Sequence, residues 1–75
     1  MKVFLHTRGP KQYSWQNDLR DFARIPAVGE YLALDKTSDW YRVILVVHTA
    51  FRSDCVAEVY AEKVDPNEVK KQALG

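Results

Sequence analysis

Two histidines and a single cysteine are the side chains of this sequence best suited to metal binding or nucleophilic chemistry. His6 and His48 lie far apart, form neither an HxxxH nor an HExxH spacing, and Cys55 has no second cysteine to join it. A structural zinc site needs four such ligands and a catalytic site three, so the sequence lacks a ligand set. A Cys55–His48 pair is the one nucleophilic arrangement that a hairpin could bring together.

The carboxylates and glycines add no catalytic constellation. Glu58 and Glu62 share one face of a predicted strand, where each is expected to pair with a neighbouring strand at the surface. Nucleotide-binding loops need clustered glycines. The glycines here are isolated, at Gly9, Gly29 and Gly75. We therefore predict a non-catalytic protein that needs neither a metal nor a cofactor.

Length and composition predict a single small domain, residues 1–75, with room for one hydrophobic core. One cysteine allows no internal disulfide, which is typical of a reducing compartment. The apolar segment near the N-terminus is too short for a signal peptide, and no apolar run approaches the roughly 20 residues of a membrane helix. These features predict a cytoplasmic protein that does not bind membranes.

Charge is nearly balanced over the whole chain, at +1, but unevenly distributed. Residues 1–26 hold five basic and two acidic side chains, a net of +3, whereas residues 27–64 hold four basic and six acidic ones, a net of −2. A basic face can bind nucleic acid. That alternative function would use the basic residues of the first third of the chain, Arg8, Lys11, Arg20 and Arg24.

Strand-forming residues predict four β-strands, which cover residues 2–7, 29–35, 40–49 and 54–64. The third is the longest run of strand formers, and its middle, Val43 to Val47, is continuously apolar. Such a strand is central in a sheet or curves around a small barrel. It is the element around which the other strands are expected to assemble.

Two further segments carry helical signals. In residues 15–24, Trp15, Leu19 and Phe22 follow a helical period, so this segment is expected to be a helix or, alternatively, a long structured loop. In residues 66–74 a helix is expected after Asp65, with Pro66 in its first turn.

The resulting order is β, then a helix or long loop, then β-β-β, then α. This order predicts a mainly β fold with α (α+β), either a small, strongly bent antiparallel sheet or an SH3-like barrel. Opposite charges would meet in the last hairpin if Arg42 paired with Glu62, which would also pair Ile44 with Tyr60. In this register Val43, Leu45 and Val47 would face the core. His48 and Cys55 would then point to opposite faces, and only a one-residue slip would restore their pair.

The opposite face of this hairpin is the main candidate site. It would carry a set of large apolar, aromatic and charged side chains, namely Trp40, Arg42, Ile44, Val46, His48 and Tyr60. So apolar a face is not expected to remain in water. Either the first helix covers it, or it binds a protein partner or a second copy in a homodimer, since Trp, Tyr and Arg are typical interface anchors.

The segments Ile25–Leu34, Trp40–Val43, Val46–His48 and Ala57–Tyr60 contain the motifs PxVGE, WYxV, VVH and AEVY. This layout, over residues 25–64, resembles small bacterial, phage and mobile gene cassette proteins of unknown function that have an SH3-like barrel. The resemblance implies a three-stranded meander within such a barrel. It implies no activity and no catalytic residues.

Overall fold

The computed structural model describes residues 1–11, 13–36 and 39–75, and it is mostly β with one C-terminal helix. Its elements in chain order are β1 Lys2–Arg8, β2 Gln16–Asp21, β3 Tyr31–Ala33, β4 Trp40–His48, β5 Ala57–Val64 and α1 Pro66–Leu74. β1, β4 and α1 match the expected bounds within one residue. β3 and β5 are shorter than expected, because residues 29–30, 34–35 and 54–56 lie outside the strands.

The five strands form one sheet in the order β2-β1-β5-β4-β3, which curls into a half-barrel. The sheet is mixed, so the expectation of a purely antiparallel sheet was wrong. β1 runs parallel to β5, with Val3 opposite Ala57 and Leu5 opposite Val59, whereas the other pairs of neighbours are antiparallel. The parallel pairing arises because β1, from the start of the chain, lies beside the last strand of the β3-β4-β5 meander.

The predicted helix at residues 15–24, and the loop alternative to it, were both wrong for Gln16–Asp21, which form strand β2. Its pairing with β1 is antiparallel, with Phe4 opposite Leu19 and Leu5 opposite Asp18. An isolated helix of this length is marginal in water. Pairing with β1 engages the backbone groups of alternate residues over the whole length of β2, so tertiary contact overrides the helical period of the apolar residues.

The core lies on one face of the sheet, in the hollow of the half-barrel. Its buried side chains come from four strands and include Val3, Leu5, Leu32, Val43, Val59 and Ala61. Every second residue of β1 and β5 contributes, as the pleat of a strand requires. Arg20 reaches across the hollow from β2, and its Nη1 donates to the Leu34 carbonyl at 2.7 Å. That bond links the edge of β2 to the chain that follows β3.

A β-bulge in β4 changes which side chains face the core. Arg42 lies opposite Glu62 as expected, but the register shifts between Val43 and Leu45, so that Leu45 lies opposite Tyr60. A bulge inserts one extra residue and reverses the alternation of the residues beyond it. The expectation that Leu45 and Val47 are core residues was therefore wrong. They are 48% and 41% exposed, and Val46 packs against the core in their place.

An ion pair between Arg24 and Glu30 holds the segment that leads into β3. Arg24 contacts both carboxylate oxygens of Glu30, and one of these oxygens also accepts from the Ala27 backbone N–H at 2.6 Å. These bonds hold the pKa of Glu30 at about 2, below its ordinary value of 4.5. Gly29 turns the chain with a φ of +92°, and its N–H donates to Val43 of β4 at 2.9 Å.

Helix α1 begins as the sequence indicates. Asp65 is its N-cap, and the side-chain oxygen accepts from the Asn67 N–H at 2.9 Å, with Pro66 at the first helical position. None of its residues is buried. Lys70 contacts a ring of the sheet, with its Nζ 5.2 Å from the centre of the Trp40 ring.

Candidate functional site: the outer face of the sheet

The face of the sheet opposite the core, called the outer face below, carries several aromatic side chains. Register and alternation place on it, from β2 to β3, the side chains of Trp15, Asn17, Leu19, Phe4, His6, Arg8, Glu58, Tyr60, Glu62, Arg42, Leu45, Val47 and Tyr31. These residues form rows across the strands. The outer face is therefore a continuous surface spanning all five strands.

His6 occupies the centre of the outer face and is only 8% exposed. Its ring stacks on Tyr60, with centroids 4.3 Å apart, and tilts against Phe4 at 4.6 Å. Nδ1 lies 2.5 Å from the Asn17 Oδ1 and Nε2 lies 3.1 Å from the Glu58 Oε1. Both ring nitrogens thus contact oxygens of neighbouring strands, so this histidine links β1 to β2 and to β5.

An arginine joins the aromatic cluster to the charged row beside it. The Arg8 guanidinium lies 4.3 Å from the centre of the Trp15 ring, and its Nε donates to the Glu62 carboxylate at 3.0 Å. Trp15 also meets Tyr60 edge-on, with centroids 5.2 Å apart. Along this row Arg8, Glu62 and Arg42 alternate in charge. Aromatic contacts and an ion pair thus hold these side chains in defined positions.

Large apolar side chains are exposed around this ordered centre. Leu19 is 52% exposed on β2, while Leu45 and Val47 project from β4 and Tyr31 from β3. The predicted first helix does not cover them, because its residues form β2 within the same sheet. Within residues 1–11, 13–36 and 39–75, no helix or strand packs over the rows formed by Phe4, His6 and their cross-strand neighbours.

The predicted partner-binding residues are only partly brought together. Arg42 and Tyr60 lie on the outer face as expected, and Trp40 lies at its end, beside α1. Val46 turns toward the core, so its assignment to the outer face was wrong. Ile44 is half-buried at the bulge, and Leu45 occupies the place opposite Tyr60 that was expected for Ile44. His48 lies opposite the core residue Ala57 at the end of β4, so its assignment to the outer face was also wrong.

The sequence reasoning missed several members of the outer face, namely Phe4, His6, Trp15, Leu19, Leu45 and Val47. Alternation in β1 already placed Phe4 and His6 on one side of a strand. Trp15, Asn17 and Leu19 also alternate, which is the strand signal that the helical period obscured. The bulge that exposes Leu45 had no signal in the sequence.

The four basic residues of the nucleic-acid alternative do not form one patch. Arg8 lies on the outer face paired with Glu62, whereas Arg20 points into the hollow and contacts Asp18 at 2.8 Å. Arg24 is paired with Glu30 beyond the end of β2, and Lys11 is exposed after β1. Three of the four cations thus face a carboxylate of the same chain.

The residues considered for catalysis lie near the loop end of the β4–β5 hairpin, where the bulge has shifted the register by one residue relative to the expected one. Cys55 is half-buried, with its Sγ 3.5 Å from the Ser53 Oγ, while His48 belongs to the β4–β5 ladder opposite Ala57. The part of the chain that the structure describes holds no group of three or more His, Cys, Asp or Glu side chains arranged for a metal ion. It also contains no helix long and apolar enough to cross a membrane.

No protein-family model matches this chain, and comparisons with curated proteins and with solved structures found no match either.

Proposed function

We propose that this chain is a non-catalytic interaction module built on an SH3-like half-barrel, and that its outer face binds another protein or a second copy of the chain. The observation that carries the proposal is the exposure of Leu19, Leu45 and Val47 around an aromatic cluster that no described element covers. An exposed apolar patch with a polar rim is the usual mark of a protein-binding surface.

The make-up of the outer face favours a protein over a nucleic acid. Its arginines, Arg8 and Arg42, are matched by two carboxylates, Glu58 and Glu62, so these four charges balance. A phosphate backbone requires excess positive charge. A protein surface of mixed charge with apolar side chains meets no such barrier, and Trp15, Tyr60 and the arginines are the residue types that dominate binding energy in protein interfaces.

The order of the outer face also supports binding. Ring stacking and the Arg8–Glu62 ion pair hold Trp15 and Tyr60 in place before any partner arrives. Side chains that are already ordered lose less conformational entropy on association, so more of the contact energy appears as affinity. The rigid cluster would supply the anchors, and the exposed aliphatic residues of β4 would supply the surrounding contacts.

A photo-crosslinking amino acid placed at Leu45 tests this proposal, with the same group at Leu74 as the control. Leu45 lies on the outer face, whereas Leu74 is an exposed apolar residue at the end of α1, away from the sheet. We expect a defined adduct from position 45 and none from position 74, in cells that express the chain or with the purified chain alone. Equal adducts from both positions, or none from position 45, would refute the proposal.

The partner captured at position 45 then allows a direct measurement of affinity. We expect Leu45→Arg to weaken binding by at least about tenfold, or 1.4 kcal/mol, whereas Leu74→Arg leaves it unchanged. Far-UV circular dichroism checks that both variants remain folded. An affinity that is the same for both variants would show that the outer face is not the binding surface.

A further inference from the structure

The free edge of β2 is a second unpaired feature of the sheet. β2 ends the strand order, and its only strand neighbour within the described ranges is β1. The opposite edge, β3, is only three residues long, whereas β2 has six, so β2 offers the longer edge for pairing with another strand. Exposed edges of this kind readily accept a further strand.

The direction of each backbone group along β2 follows from two hydrogen bonds at its end. The Met1 nitrogen donates to the Phe22 carbonyl at 2.7 Å, and the Phe22 N–H donates to the Met1 carbonyl at 2.8 Å. In an antiparallel ladder such exchanging pairs alternate with pairs that exchange no bond. Arg20, Asp18 and Gln16 therefore direct their backbone groups toward β1.

The remaining residues of β2, namely Asn17, Leu19 and Asp21, direct their N–H and C=O groups away from β1, toward the free edge. The other side of β1 agrees with this assignment. The Lys2 carbonyl, opposite Asp21, accepts from the Val56 N–H at 2.9 Å and so points toward β5. Successive residues of β1 thus direct their backbone hydrogen bonds alternately to β2 and to β5.

We propose that two copies of this chain join along their β2 edges, antiparallel about a twofold axis at Leu19. Leu19 of each copy would then exchange backbone hydrogen bonds with Leu19 of the other, and Asn17 would do so with Asp21 of the other. Asp18 of each copy would lie directly opposite Arg20 of the other. This assembly forms along the edge of the sheet and goes beyond the function proposed above, although Leu19 belongs both to this edge and to the outer face.

Charge selects this register over its neighbours. Only Asn17, Leu19 and Asp21 direct backbone groups toward the free edge, so these three residues must pair among themselves in the dimer. The twofold axis can therefore move along β2 only in steps of one residue. Moving the axis to Asp18 would oppose two aspartates, and moving it to Arg20 would oppose two arginines, both unfavourable across strands. With the axis at Leu19, opposite charges face each other twice, and two half-exposed leucine side chains meet on the outer side of the sheet.

Charged residues on an edge strand usually oppose pairing with other chains. Here the two charges nearest the axis, Asp18 and Arg20, are opposite in sign and lie on either side of it. They attract each other across the axis in this register and repel in the registers shifted by one residue. A twofold axis makes each contact occur twice, which gives a closed dimer and not a fibre. The two outer faces would become one continuous surface across the joined sheets.

Charge exchange between two variants tests the proposal by sedimentation equilibrium over a concentration series. Asp18→Arg puts positive charge opposite positive charge, and Arg20→Asp puts negative opposite negative, so each variant alone should dimerise at least about tenfold more weakly than wild type. An equimolar mixture of the two should recover the dimer, because opposite charges meet again. Lys71→Asp, on the exposed side of α1, is the matched control and should dimerise like wild type.

Amide hydrogen exchange of the wild type supplies a readout that does not depend on these variants folding. The amides of Asn17, Leu19 and Asp21 should exchange slowly only at concentrations at which the dimer forms, whereas those of Asp18 and Arg20 should be protected in the monomer as well. A wild-type chain that remains monomeric, or a variant mixture that stays monomeric when both variants are folded, would overturn the proposal. A dimer in which the Asn17, Leu19 and Asp21 amides exchange rapidly would also overturn it, while leaving binding through the outer face intact.

Discussion

Truncation of Leu45 tests the bulge in β4, on which the composition of the outer face depends. Leu45→Ala removes three carbon atoms, worth about 2.4 kcal/mol if the side chain were fully buried, at ~0.8 kcal/mol per carbon. Since Leu45 is 48% exposed, about half of that burial is present, and water can fill the space that remains. We therefore expect Leu45→Ala to lower the free energy of unfolding by about 1.2 kcal/mol or less.

The matched comparison is Leu5→Ala, because Leu5 is 1% exposed in the core. Its truncation leaves a cavity as well as losing burial, so the expected loss is about 2–5 kcal/mol. If that variant does not fold, Val43→Ala replaces it, with an expected loss of about 1.6 kcal/mol before any cavity contribution. Urea unfolding followed by tryptophan fluorescence measures all three variants.

A regular, unbulged β4 would give a different result. Leu45 would face the core between Val43 and Val47, and its truncation would cost as much as that of Leu5. Equal losses for Leu45→Ala and Leu5→Ala would therefore refute the bulged register. They would also remove Leu45 and Val47 from the outer face.

Two further predictions concern the ends of the sheet and the helix. The pKa of Glu30 is about 2 in the folded chain, below its ordinary 4.5, so the stabilisation from its contacts with Arg24 is fully present above pH 4.5 and is lost as the pH falls through about 2. Thermal melts between these pH values should show a smaller change for Glu30→Gln than for wild type, and identical curves would contradict the assignment. Asp65→Ala removes the N-cap bond to Asn67 and should cost about 1 kcal/mol of helix stability, measured as lost helical circular dichroism on warming; an unchanged profile would show that the cap contributes nothing.

The ends of the elements were largely predictable because local chemistry determines them. Asp65 and Pro66 mark the start of α1 whatever the rest of the chain does, since the cap bond and the proline ring act within one turn. The run Trp40–His48 is similarly committed to a strand by its β-branched residues. The pairing of Arg42 with Glu62 was also predictable, because their opposite charges favour this register. The pair lies at the open end of the hairpin, so the bulge, which is nearer the loop, does not change it.

Residues 15–24 show the limit of such reasoning. Trp15, Leu19 and Phe22 follow a helical period, while Trp15, Asn17 and Leu19 follow a strand period, so the local pattern supports both structures. The decision comes from β1, which offers a complete antiparallel partner. Once β2 joins the sheet it cannot cover the outer face.

The sequence by itself determined the β-rich character of this protein, the C-terminal helix and the absence of a recognisable catalytic motif, because composition, strand propensity and capping act over a few neighbouring residues. Tertiary structure alone decided the parallel pairing of β1 with β5, the strand state of β2 and the bulge at Ile44. Each of these depends on contacts between segments distant in the chain, and no local pattern encodes their geometry. Together they placed His6 at the centre of the outer face and left Leu45 exposed beside it.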